Sequence, residues 1–224
     1  VSFLIILGGI GFVTINSIFI IKKKKFRDLS LTSKLALIIT AFLLFIGTIL
    51  FLIFEYNNSS TLKGMSFLDK FLNSFFQSVT LRTAGFNTVP LENIRPATVF
   101  ISYIFMFIGA SPGSTGGGIK TTTFGILIFY ALGVLKRREY VEVFKRRIDW
   151  ELINKALAIV VISVFYIIVV TTVILSAESF STDKVVYEVI SAFSTTGLSM
   201  GITAGLGIIS KLLIVITMFI GRLG

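Results

Sequence analysis

The 224-residue chain is 54% hydrophobic with a mean hydropathy of +0.94, above the roughly 45–50% apolar content of soluble domains. It carries 21 Lys and Arg against 11 Asp and Glu, a net charge of +10, with no Cys and no His. Disulfides, thiolate chemistry and most transition-metal sites are thereby excluded, any bound ion is a hard one, and the positive charge, gathered in blocks between apolar runs, follows the positive-inside pattern of membrane proteins rather than that of a nucleic-acid surface.

The apolar runs are unbroken instead of alternating, so they read as helices and not as barrel strands. Residues 1–21 are long enough to cross a hydrocarbon core of about 30 Å as one helix, and Gly8, Gly9 and Gly11 would let a neighbouring backbone approach closely. The run precedes its basic cluster, the reverse of a signal peptide. Lys22, Lys23, Lys24, Lys25, Arg27 and Lys34 form a basic linker expected in the cytoplasm, with anionic membrane lipid as a secondary contact. Residues 35–54 make a second span that emerges at the polar stretch 55–60. Residues 67–80 place Phe67, Leu68, Phe71, Leu72, Phe75 and Phe76 at helical spacing, interrupted by Asp69, Lys70, Asn73, Gln77 and Ser78. At about four turns this helix is too short and too polar to cross, and its C-terminal dipole would favour a cation.

Residues 95–135 would stretch about 60 Å as one helix, twice the core thickness. The break falls at Gly109, Ala110, Ser111, Pro112, Gly113, Ser114, Thr115, Gly116, Gly117, Gly118, Ile119 and Lys120, where five glycines and a proline oppose helix. The break is either an intramembrane loop or an aqueous turn between two separate spans. Two full spans would put the cluster Lys136, Arg137, Arg138, Lys145, Arg146 and Arg147 outside, whereas a single broken crossing returns it to the side of the first basic linker. The broken crossing is therefore preferred, and loops 22–34 and 136–155 are both expected in the cytoplasm. Irregular backbone at membrane depth must be lined by protein or water. Residues 156–175 span again, 184–194 are too short to cross, and residues from 206 return.

Two tetrads follow the short helices: Thr83-Ala84-Gly85-Phe86 and Thr195-Thr196-Gly197-Leu198, with 112 residues between their glycines. A single Thr-x-Gly could be a turn. Two of them, each after a non-crossing helix and before a span, outline re-entrant pore loops whose backbone carbonyls could replace the hydration shell of a cation. The glycine-rich stretch fails as a nucleotide-binding loop, because Ile119 separates Gly118 from Lys120 and no strand precedes it. Lys120 and Arg222 are charges within apolar runs, functional by default, although Lys120 could also snorkel to water. Arg82 would repel a cation unless it turns behind the tetrad toward the end of helix 67–80.

The runs 81–88, 107–122 and 194–199, together with Gly221-Arg222-Leu223-Gly224, closely resemble the Trk/Ktr potassium-uptake superfamily, and more the Ktr-type membrane subunit than the Trk one. The resemblance covers essentially the whole chain. It implies an all-α integral membrane protein of membrane-pore-membrane (M1-P-M2) repeats with re-entrant pore loops and one broken M2 helix. Residues 1–34 would then be the last helix of repeat two and a cytoplasmic linker, 35–150 repeat three, and 151–224 repeat four, truncated in its last helix. The chain starts inside an apolar run without Met and ends inside another, so a fragment holding two of four filter strands is expected, and such a piece alone should not conduct. The resemblance assigns Thr83, Ala84, Gly85, Phe86, Thr195, Thr196, Gly197 and Leu198 to a K⁺ selectivity filter, Gly109–Gly118 with Lys120 to a gate, and Arg222 to a partner of that gate. It also implies a homodimer on a cytosolic ring of nucleotide-binding regulatory subunits (RCK type), K⁺ as transported ion with Na⁺ as a second candidate, and no organic cofactor, enzymatic activity or nucleic-acid partner. A broken-helix, ion-coupled secondary transporter working by symport is the alternative, and a helix-packing scaffold a third.

Overall fold

The computed structural model describes residues 1–20, 26–137, 140–144 and 146–223. Lys22–Lys25, Arg138, Lys145 and Gly224 of the sequence expectations lie outside the described residues. Nine helices are described: α1 (Ser2–Ile10), α2 (Phe12–Ile20), α3 (Leu31–Glu55), α4 (Phe67–Thr80), α5 (Pro96–Phe107), α6 (Thr121–Leu135), α7 (Trp150–Ala177), α8 (Thr182–Phe193) and α9 (Ile208–Leu223). Among the described residues the named strands form a small antiparallel hairpin, β1 (Glu142–Val143) with β2 (Arg146–Arg147), inside the second basic linker.

Length and composition sort the helices. α3 and α7, with 25 and 28 residues, are long and apolar enough to cross a membrane. α4, with 14 residues, ends where its pattern predicts. Its buried face is polar: Ser78 Oγ donates to the Leu44 carbonyl of α3 at 3.0 Å, Ser74 Oγ to the Lys70 carbonyl at 2.7 Å, and Lys70 Nζ to the Tyr56 carbonyl at 3.1 Å. Packing within protein, not lipid, is therefore where α4 satisfies its side chains. Ser66 accepts from the Asp69 amide at 3.2 Å and starts the helix. α5 begins with proline at its first position and stops at Phe107, and thirteen irregular residues precede Thr121 of α6. The helix is broken where the glycines and proline predict.

The expectation of a single helix over 1–21 fails. α1 and α2 meet at a 94° bend at Gly11. Gly11 has φ +87, and a side chain there would collide with the Pro112 carbonyl of the irregular segment. The glycine cluster does admit a close neighbour, but the neighbour is a loop, and it takes over backbone groups that the opened helix leaves free: Phe12 N donates to the Gly113 carbonyl at 3.1 Å, and the Gly9 carbonyl accepts from Ser111 N at 2.9 Å.

Two equivalent carboxylates fasten the ends of α3 and α7 opposite the basic linkers. Glu55 is fully buried and accepts from Asn58 Nδ2 (2.6 Å), Thr61 Oγ1 (2.8 Å), the Arg95 amide (2.9 Å) and the Thr98 hydroxyl, tying the end of α3 to the start of α5. Glu178 accepts from the Gly207 amide and Ser210 Oγ, both at 2.7 Å, tying α7 to α9. Arg95 and Gly207, like Thr98 and Ser210, are 112 residues apart. Glu55→Gln sets an amide NH₂ against an N–H donor, Asn58 Nδ2 or the Arg95 amide, whichever way it is turned, although the two threonine hydroxyls can rotate to accept. We expect it to cost about 2–3 kcal/mol, read as a lowered melting temperature in detergent; an unchanged transition would contradict the tie. Ser210, then Gly207, hold the Glu178 carboxyl below the usual carboxylate range. Its stabilising effect is therefore full above the unfolded carboxylate value and lost as pH falls through the depressed folded one.

Candidate functional site

The two tetrads, far apart in sequence, lie backbone to backbone. A Cβ at Gly197 would sit 3.5 Å from Gly85 Cα, and one at Gly85 would sit 2.7 Å from the Thr196 carbonyl oxygen. They share a conformation: Thr83 and Gly85 have φ 66 and 75, Thr195 and Gly197 φ 54 and 84. A left-handed φ at a β-branched residue is a rare outlier costing roughly 1–3 kcal/mol. That it occurs at the first residue of both tetrads marks a shared constraint rather than a local accident.

Helix ends hold this backbone in place. Ala84 N donates to the Thr80 carbonyl at the end of α4 (3.2 Å), and Thr196 N to the Ser191 carbonyl of α8 (2.8 Å). Thr80 Oγ1 clamps the first tetrad by accepting from Phe86 N at 3.0 Å and donating to the Phe86 carbonyl. Beyond the second tetrad, Ser199 Oγ donates to buried Glu188 Oε2 of α8 at 2.8 Å, with the Thr203 hydroxyl on the other carboxylate oxygen. Arg82 is buried just before the first tetrad, and its Nε and Nη2 meet no acceptor among the described residues.

The irregular segment between α5 and α6 lies directly against the threonine ends of both tetrads. Gly117 N donates to Thr195 Oγ1 at 2.8 Å, and a Cβ at Gly116 would collide with Thr83 Oγ1. Its own turn is closed by a parallel bridge of Ile108 with Ile119, by Ile119 N to the Phe107 carbonyl (3.1 Å), and by the Thr121 hydroxyl donating to buried Ser111 Oγ (2.9 Å). Helices on either side grip it: Thr115 N donates to the Gly8 carbonyl of α1 at 3.3 Å, and Gly118 N to the Gly221 carbonyl of α9 at 3.1 Å. Two cations converge on the Gly116 carbonyl, Lys120 Nζ at 3.0 Å and an Arg222 terminal nitrogen at 3.2 Å, and Arg222 reaches the Ser114 carbonyl at 3.4 Å as well. Phe86 is exposed and Leu198 buried, and a cleft lined by Leu4, Gly8, Thr83, Ala84, Phe86 and Thr115 opens beside the first tetrad.

The two tetrads, the glycine-rich segment with Lys120, and Arg222 thus belong to one contiguous assembly. Sequence reasoning missed Thr80, Glu188, the Gly8 and Gly9 carbonyls and Gly221 as its supports. A signal existed for two of them, Gly8 and Gly221: Leu7-Gly8, Ile108-Gly109 and Ile220-Gly221 repeat an apolar-Gly pair, and Gly109 and Gly221 are 112 residues apart, the spacing of the tetrad glycines.

A family model described as TrkH, cation transport protein, matches residues 1–224. The Ktr system potassium uptake protein B of Vibrio alginolyticus is 38% identical over 221 residues, covering 99% of this chain and 49% of that protein. Its Bacillus subtilis namesake is 38% identical over 224 residues, 100% of this chain and 50% of that protein. The potassium/sodium uptake protein NtpJ of Enterococcus hirae is 38% identical over 228 residues, again 100% and 50%. The crystal structure of the potassium transporter TrkH from Vibrio parahaemolyticus superposes with a TM-score of 0.79 at 18% identity, over 99% of this chain and 48% of that one, a likeness of fold. The chain spans about half the length of the curated relatives it matches.

Proposed function

Because the chain belongs to the TrkH family of cation transport proteins, a family of multi-pass membrane transporters and not of enzymes, we propose that it forms two adjoining quarters of a potassium-uptake pore in the plasma membrane. Thr83–Phe86 and Thr195–Leu198 are two strands of a selectivity filter, and Gly109–Gly118 with Lys120 is the gate beneath them, held by Arg222. The observation that carries this reading is the matched left-handed backbone of the two tetrads, abutting at Gly85 and Gly197, with the glycine-rich segment under both threonines. Carbonyl-lined filters select by replacing an ion's hydration shell, which needs a fixed backbone and no side chain between the strands.

α4 and α8 are the pore helices, repeat three occupies 35–150 and repeat four 151–224. K⁺ is the transported ion, and the Enterococcus relative, named for potassium and sodium, makes Na⁺ the second ion to test. The basic loops face the cytoplasm, where the β1–β2 hairpin, with Arg147 stacked on Tyr140 at 3.6 Å, offers a cationic surface to a nucleotide-binding regulatory ring beneath a homodimer. The full-length protein in liposomes should take up K⁺ and Rb⁺ at least tenfold faster than Na⁺. Equal rates for the three ions would reject the filter assignment.

A further inference from the structure

The Thr195 side chain is bonded to the glycine-rich segment, accepting from the Gly117 N–H at 2.8 Å. Next to it, Gly116 presses on Thr83 so closely that a methyl group there would overlap the Thr83 hydroxyl, and a methyl group on Gly117 would lie 2.8 Å from Thr195 Oγ1. The segment therefore fills the space below both threonine hydroxyls. A threonine hydroxyl oxygen has two lone pairs, so it is the space the segment fills beneath Thr83 and Thr195, and the positive end of the Gly117 N–H dipole aimed at Thr195 Oγ1, that keep a cation away from that hydroxyl. The Gly8 and Gly221 carbonyls hold the segment against the hydroxyls from both sides, and Lys120 and Arg222 place two positive charges on its Gly116 carbonyl.

We propose that the Thr195 hydroxyl is a positioning group used in turn by the segment and by the innermost cation, so that closure of the segment and occupancy of that inner position exclude one another. The proposal rests on the pore reading above and adds to it a direct coupling between filter and gate. Such a coupling is reciprocal: whatever disfavour the closed segment imposes on the ion, the ion imposes on the closed segment. A rise in K⁺ at the inner position then releases the Gly117 N–H and loosens the gate, and an empty position lets it close.

The test uses the full-length protein in liposomes, without a regulatory subunit, and hydrogen exchange of the amides of residues 115–118 in K⁺ against N-methylglucamine. In the wild type, exchange should quicken at least threefold in K⁺. Thr195→Val, which keeps the shape and loses the acceptor, should exchange fast in both media and raise basal Rb⁺ flux several-fold. Thr195→Ser should lower that flux at least halfway back. Loss of a filter ligand alone would lower flux, so the sign separates the two roles. Exchange indifferent to K⁺ in the wild type overturns the coupling and needs no variant to fold; so does a Thr195→Val flux at or below wild type. Selective uptake with K⁺-indifferent exchange rejects the coupling alone, whereas equal K⁺ and Na⁺ uptake with ion-dependent exchange rejects the selectivity reading and leaves the coupling standing.

Discussion

Gly85→Ala in the full-length protein is expected to cut K⁺ uptake by one to two orders of magnitude and to erase its advantage over Na⁺. Two penalties combine. At φ +75 an alanine enters the left-handed region, and its Cβ would lie 2.7 Å from the Thr196 carbonyl oxygen, one of the proposed ion ligands. Backbone strain of this kind costs roughly 1–3 kcal/mol, and the clash can be relieved only by moving one filter strand off the other. Each 1.4 kcal/mol is about tenfold in an equilibrium or a rate, which sets the expected range. The neighbouring strand offers a control of direction: Gly197→Asp adds a charge as well as a side chain, and its Cβ starts 3.5 Å from Gly85 Cα, so it should lose selectivity at least as completely. K⁺, Rb⁺ and Na⁺ flux into liposomes decides the matter, and unchanged discrimination in folded Gly85→Ala protein would remove these glycines from the filter.

What the sequence made legible was whatever a local pattern encodes. α4 was bounded at Phe67 and Thr80 because its apolar period and its polar interruptions are both local. The break between α5 and α6 was legible because 41 residues cannot fit a bilayer as one helix and Pro112 with five glycines marks where they fail. The bend at Gly11 was not, since it depends on a carbonyl at Pro112 about a hundred residues away; within its own window the run 1–21 reads as an ordinary span. The same holds for Thr80, Glu55 and Glu188, ordinary polar residues whose roles exist only once α5, the tetrads and the loop after Leu198 come to them. Arg82 stands between these cases. It is buried, and its Nε and Nη2 meet no acceptor among the described residues, so the expected bond to the end of α4 is not seen there.

Removing Ser111–Gly118 from the full-length protein should raise K⁺ flux at least tenfold in the absence of any regulatory subunit. The deletion takes away Gly116 and Gly117, which block the space under Thr83 and Thr195. It also removes the Gly116 carbonyl that fixes Lys120 and Arg222 in place. Each positive charge freed from its place beneath the tetrads lessens the repulsion of an entering cation, and a tenfold rise needs only about 1.4 kcal/mol. Selectivity should persist, because Thr80, Glu188 and the ends of α4 and α8 hold the tetrads without help from this segment. Flux that stays level or falls in inserted, folded protein would show that the segment supports the filter instead of obstructing it, and the increase predicted for Thr195→Val would then lose its basis too.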